Sequence, residues 1–280
     1  MQFTVSLNSH ENDAYNLGYL NSYLDNYLLL KYKIHESKNN TNDEAKKRFF
    51  NALGIYNYSL FENLWHCYKA SYSAKQETSY MLGNVKYVIS NPFKSNLSSF
   101  STIILLFGTC RDIYFVLLKL MEYETGIIDE DIFFEIITND STFKNPNRYD
   151  FEEKLKSLSN NDQSFVEDGL KIYDNNILRN MLAHSFRLPW WSNKMSGSND
   201  FFILREFYDT FENLKESEAN RLIFKKSIFN IIDNISDYES SIENSNTDKL
   251  ISSSEILRNM HNLLSKFINN TFGYIVKILN

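Results

Sequence analysis

In the stretch Arg179-Asn180-Met181-Leu182-Ala183-His184 a guanidinium, a carboxamide and an imidazole lie close together on what reads as a core helix. The apolar positions Leu170, Tyr173, Ile177, Leu178, Met181, Leu182 and Phe186 recur at the three-and-four spacing of one buried stripe, and Pro189 ends the run. At about 100° per residue, Asn180 and His184 project from nearly the same face, with Arg179 beside them. A ring that titrates near neutrality thus stands next to a permanent cation on the rim of an apolar surface. The competing reading is that both groups solvate a helix C-terminus, where cations meet the negative end of the dipole.

No other cluster is as well formed. Arg258-Asn259-Met260-His261 repeats part of the pattern with a shorter spacing and reads as a solvated helix face. His66 and Cys67 read as a rim histidine beside a packed cysteine, Cys110 as a second packed thiol, and His10 and His35 as loop residues. Neither a Cys-x-x-Cys nor a His-x-x-x-His ligand pair is present, so no metal or other cofactor is expected. The glycine-rich phosphate loop, the dinucleotide fingerprint and the Gly-x-Ser-x-Gly elbow are absent from the sequence as well.

The elements that must position these groups read as helices. Tyr15, Tyr19, Leu20, Tyr23, Leu24, Tyr27 and Leu28 give a first helix over Asp13–Ile34, followed by a polar loop over His35–Asp43. Asn42 or Asp43 caps a second helical region that runs to about Ser90, with a break near Gly54 and Asn91-Pro92 as its stop. The most apolar helix, Phe100–Tyr123, follows a Ser98 or Ser99 cap and carries the interior pair Arg111-Asp112. Short helices are expected on the apolar patch within Gly126–Tyr149 and over Asp150–Leu158, then a turn at Asn160-Asn161-Asp162 and the motif helix from about Ser164. Past Pro189 come a turn-rich stretch, a short strand or hairpin within Phe201–Phe211, a helix over Glu216–Tyr238 and a last helix from about Thr247 to Leu279. The expectation is one all-α domain, 1–280: an antiparallel helical bundle at about 59–188 with a C-terminal helix at about 247–279 and a loop or β-hairpin insert at about 189–212.

Composition agrees with a helical globular protein: 43% of residues are hydrophobic and 15% aromatic, with only three prolines and eight glycines in 280 residues. Two isolated cysteines and no visible secretory signal fit a reducing cytoplasm. Gly108, Arg111 and Asp112 interrupt the most apolar run, so a membrane span is not expected. A net charge of −6 argues against a broad nucleic-acid surface, yet Lys171, Arg179, Arg187, Lys194 and Arg205 cluster in sequence around the motif and leave room for a local phosphate site.

The fuller pattern Arg179-Asn180-x-x-Ala183-His184, near the end of an amphipathic helix in a helical series, resembles the HEPN superfamily of helical-bundle proteins from prokaryotic toxin, defence and RNA-processing systems. The resemblance rests on those residues and on helix order, over about Ser59–Phe186 plus a C-terminal helix. It implies a metal-independent endoribonuclease in which the ribose 2′-hydroxyl attacks the adjacent phosphate and leaves a 2′,3′-cyclic phosphate. In that reading His184 exchanges a proton, Arg179 holds the phosphate and its developing charge, and Asn180 orients the ring or an oxygen. Arg187 and Lys194, with Arg111 and Asp112 on the central helix, are the expected substrate-binding residues. The implied assembly is a homodimer with facing Arg179 and His184 pairs, acting on RNA and checked by an antitoxin or regulatory protein. The alternative is a family member without activity, serving as an all-α dimerisation or interaction protein.

Overall fold

The computed structural model describes residues 6–73, 78–82, 85–89, 92–138, 147–174, 201–203 and 250–280. The described residues form helices α1 (Ser9–Asn16), α2 (Tyr19–Tyr23), α3 (Asp25–Asn40) and α4 (Glu44–Ser73), then strands β1 (Thr78–Leu82) and β2 (Val85–Ile89). They continue with α5 (Pro92–Glu124), α6 (Glu130–Thr138), α7 (Arg148–Ser159), α8 (Gln163–Asp174), β3 (Phe201–Ile203), β4 (Leu250–Ser252) and α9 (Ser253–Ile278). The fold is all-α, its described β structure limited to two antiparallel pairs, β1 with β2 and β3 with β4.

Side-chain caps start several of these helices. Asn8 and Glu11 exchange bonds across the first turn of α1, Asp43 accepts from the Ala45 amide (2.9 Å), Asp129 from Ile132 (2.9 Å) and Asn147 from Asp150 (2.9 Å). Asn160 and Asn161 hold φ of 52° and 65°, a left-handed turn that asparagine tolerates, so α7 ends and Asp162 opens α8 by accepting from the Phe165 amide.

The chain divides into two compact units, residues 1–65, 109–173 and 262–280 in one, and 66–108 and 174–261 in the other. The first is an aromatic-rich helical bundle whose registers can be read from its contacts. Antiparallel α3 and α4 meet where Tyr27 stacks on Phe61 (centroids 4.7 Å). Helices α7 and α8 run antiparallel, Phe151 stacking on Tyr173 (5.4 Å) while Leu155 lies against Gly169. Phe267 of α9 joins them, 4.8 Å from Phe165 and 4.7 Å from Tyr114 of α5. Apart from half-buried Tyr173 these rings are almost fully buried, and Phe267→Ala would cost about 3–5 kcal/mol. In the second unit β1 pairs with β2 in register from Thr78↔Ile89 to Leu82↔Val85, and the Tyr68 ring sits 5.5 Å from His261.

Several boundaries differ from the sequence expectation. The single first helix is three, because Gly18 adopts a φ of 72° and Leu24 leaves helical geometry. His10 and His35 lie on α1 and α3, not in loops, and α3 continues through the polar run to Asn40 with Lys33–Glu36 (3.1 Å) and Asn39–His35 (3.0 Å) contacts on its surface. Gly54 does not break α4. The described helix ends at Ser73, and the described residues of the remainder form the antiparallel strands β1 and β2. Pro92 opens α5, since a missing amide costs nothing in a first turn. Phe201–Ile203 is a strand as expected, but it pairs with Leu250–Ser252, which delays α9 to Ser253. Met260 and His261 are 1% and 3% exposed, so these two residues are packed and do not lie on a solvated face.

Candidate functional site

Helix α8 precedes the motif in sequence and buries Phe165, Val166, Asp168, Gly169 and Ile172, whereas Leu170 and Tyr173, the expected stripe positions that it carries, are half-buried. Arg179, Asn180, His184, Arg187 and Lys194 lie outside the described residues, as does the helix expected over Glu216–Tyr238. Of the expected site residues, Arg111 and Asp112 are described.

Arg111 is 4% exposed on α5, flanked by Cys110 (0%) and Tyr114 (2%). A buried guanidinium is costly unless compensated. Here Nε donates to Asp112 Oδ1 at 3.0 Å and Nη2 to the same oxygen at 2.5 Å, while the guanidinium carbon lies 5.4 Å from the Phe115 ring centre. Asp112, 43% exposed, carries the pair toward water. The cation is therefore engaged inside the first unit and is not presented as an open phosphate ligand.

A second polar cluster, which the sequence reading did not single out, is built on α1, α3 and α4. The Glu11 carboxylate has no exposed surface and accepts from the Asn8 amide (2.8 Å), from the Tyr27 hydroxyl (2.5 Å) and from Lys31 Nζ at both oxygens (2.7 Å). Burial, then the Glu11 hydrogen bond, pushes the Tyr27 phenol far above its ordinary pKa, so it stays a neutral donor. A general base needs an uncommitted oxygen, and both of Glu11's are held by these donors. It anchors α1 to α3. One turn of α4 away, Glu62 accepts from Tyr58 (3.1 Å) and pairs with His10 Nδ1 (2.9 Å). Burial and the Glu62 bond raise the Tyr58 phenol. The signal for this cluster was present in the sequence: Asn8-x-x-Glu11 is a capping box.

A groove of about 800 Å³ at the C-terminal end of α5 is lined by Lys119, Glu122, Asp150, Glu153 and Lys154 among others. Glu122 joins Lys119 (2.8 Å) and Lys154. Partial burial alone would raise its pKa; the two lysine hydrogen bonds outweigh that and hold it below the usual carboxylate range. With three carboxylates against two ammonium groups, the groove does not attract an anion.

Burial pushes the Cys67 thiol up to about 12, which removes it as a nucleophile at neutral pH. Among the described residues no three His, Cys, Asp or Glu side chains are grouped to hold a metal, and no helix is long and apolar enough to cross a membrane. No protein-family model, no curated protein and no solved structure matches the chain.

Proposed function

We propose that the protein is a metal-independent endoribonuclease that cleaves RNA by 2′-hydroxyl attack, leaving a 2′,3′-cyclic phosphate, and that it acts as a toxin or defence effector. The observation that carries this reading is the sequence Arg179-Asn180-x-x-x-His184 directly after amphipathic α8 in an all-α chain. His184 exchanges the proton of the 2′-hydroxyl or of the leaving oxygen, Arg179 stabilises charge on the phosphate, and Asn180 orients one of them. One His cannot both take and give a proton at the same moment, so a second copy of the chain completes the site across a two-fold axis. The test is cleavage of RNA by purified protein in the presence of EDTA. Wild type yields cyclic-phosphate ends, and His184→Ala and Arg179→Ala yield none while keeping their helical circular dichroism. Equal cleavage by wild type and His184→Ala overturns the proposal.

A second reading, an all-α interaction protein without catalysis, is favoured by Arg111. That cation, expected near the phosphate, is already paired and buried. This reading predicts no cleavage by wild type under the same conditions.

A further inference from the structure

The facing sides of α3 and α4, with Glu11 of α1, line an open cavity of about 430 Å³ that no part of the ribonuclease reading uses. Glycine at 54, in the interior of α4, leaves its wall open. The nearest atom to a Cβ built there is Ile34 Cγ2 at 3.8 Å, ordinary contact, so no packing constraint demands the glycine. Asn57, one turn further along the same wall, is 2% exposed and its Oδ1 has no donor among the described residues. A buried acceptor without a donor is destabilising. At one end, Glu11 and Lys31 neutralise each other. At the other, Lys38 lines the cavity, and no acceptor pairs with its ammonium among the described residues. Phe50 and Ile34 supply apolar surface between them.

The helix registers set the spacing. Ile34 lies opposite Gly54 and Tyr27 opposite Phe61, which puts Asn57 level with about Lys31. Lys38 is then seven residues away along α3, or about 10 Å of helix rise. We infer that this cavity binds a small anionic molecule whose apolar, ring-sized body carries an N–H or O–H donor for Asn57 at one end and a carboxylate or phosphate for Lys38 at the other. Volume and composition match those of small-molecule sites, apolar walls with a few placed polar groups. The inference stands apart from the ribonuclease reading.

The probe is indole-3-propionate, which combines a ring N–H with a carboxylate, titrated into the full-length protein and followed by calorimetry and by amide chemical shifts. A ligand of this size is expected to saturate with a Kd of about 1 mM or tighter. Asn57→Leu, which keeps the branched shape of the side chain and removes the donorless oxygen, should weaken binding about tenfold or more. The same change should raise the thermal midpoint of the free protein by about 2–4 °C, since it deletes an unsatisfied acceptor. Lys38→Gln should weaken indole-3-propionate several-fold and leave the carboxylate-free 3-methylindole unchanged. Naphthalene-1-propionate, without the N–H, should bind more weakly than the indole. No saturable binding by wild type, undiminished binding by Asn57→Leu, or a lowered midpoint in that variant overturns the inference.

Discussion

Two glycines in helix interiors make opposite predictions, and both follow from what a methyl group would touch. Glycine in mid-helix costs about 0.5–1 kcal/mol relative to alanine, from backbone entropy alone. At Gly54 the added Cβ meets Ile34 Cγ2 at 3.8 Å, so Gly54→Ala should recover most of that and stabilise the protein by about 0.5–1 kcal/mol. At Gly169 the Cβ would lie 2.3 Å from Leu155 Cδ1 and 2.9 Å from Phe267 Cε2. Leu155 is 0% and Phe267 1% exposed, so neither can swing aside. Overpacking of this kind costs about 1–3 kcal/mol, and so short an approach belongs at the upper end. Subtracting the propensity gain leaves Gly169→Ala about 2 kcal/mol less stable than wild type. Urea titrations followed by helical circular dichroism, with calorimetric midpoints beside them, read both effects. The midpoints should move in opposite directions. A Gly169→Ala protein as stable as wild type would refute the close packing of α7, α8 and α9, and a destabilised Gly54→Ala would refute the open wall of α4.

Glu11→Gln leaves the Lys31 ammonium, 27% exposed, beside a neutral amide; discounted for that exposure, the expected loss is about 2 kcal/mol in urea unfolding, and an unchanged midpoint would show that the buried anchor is energetically silent. Two partnered carboxyls should contribute to acid sensitivity. Hydrogen bonds from Tyr274 and from the Phe165 amide depress Asp162, and Glu122 is depressed as described. Both release protons more readily folded than unfolded, so their contribution is complete above about pH 4.5 and is lost as pH falls through the lower folded values. Tyr274→Phe and Glu122→Gln should each flatten the fall in midpoint between about pH 5 and 3, and an unaltered profile in both variants would contradict the assignment.

Legibility in the sequence followed local signals. Helices α6, α7 and the start of α8, and a turn at Asn160-Asn161, are readable, because their caps and apolar spacing are contained within each segment. The signals misread were those with two meanings. Pro92 can mark a stop or a first turn and here opens α5, and Gly54 can mark a break or be absorbed and here lies within α4. The β1–β2 hairpin was missed although Thr78–Leu82 and Val85–Ile89 flank Gly83-Asn84, a two-residue hairpin spacing rich in β formers. His261 was assigned to a wet face because its spacing failed the motif, whereas its burial depends on distant Tyr68. The same holds for the cavity: nothing local reveals that Asn57 of α4 lacks a donor, since that depends on what α1 and α3 bring to the opposite wall. Arg111 and Asp112 were legible as a pair, and their internal closure was not.

The side chain of Asn269 on α9 accepts from the Asn26 amide at 3.0 Å and donates to Asp25 at 2.6 Å, while Asn26 Nδ2 reaches the Asn269 carbonyl at 3.1 Å. These clasps join residues more than two hundred positions apart, and they fix the order in which the molecule can be made. The N-terminal helices leave the ribosome with the face that α9 will cover still open, and at about 5–20 residues per second the intervening chain takes roughly ten to fifty seconds to synthesise. Through that interval Tyr27 lacks its Phe272 neighbour and Phe165 its Phe267. Closure of the first unit is thus a late step of biogenesis, and nascent chains stalled before Asn262 should be held by chaperones and become protease-resistant only when α9 is released.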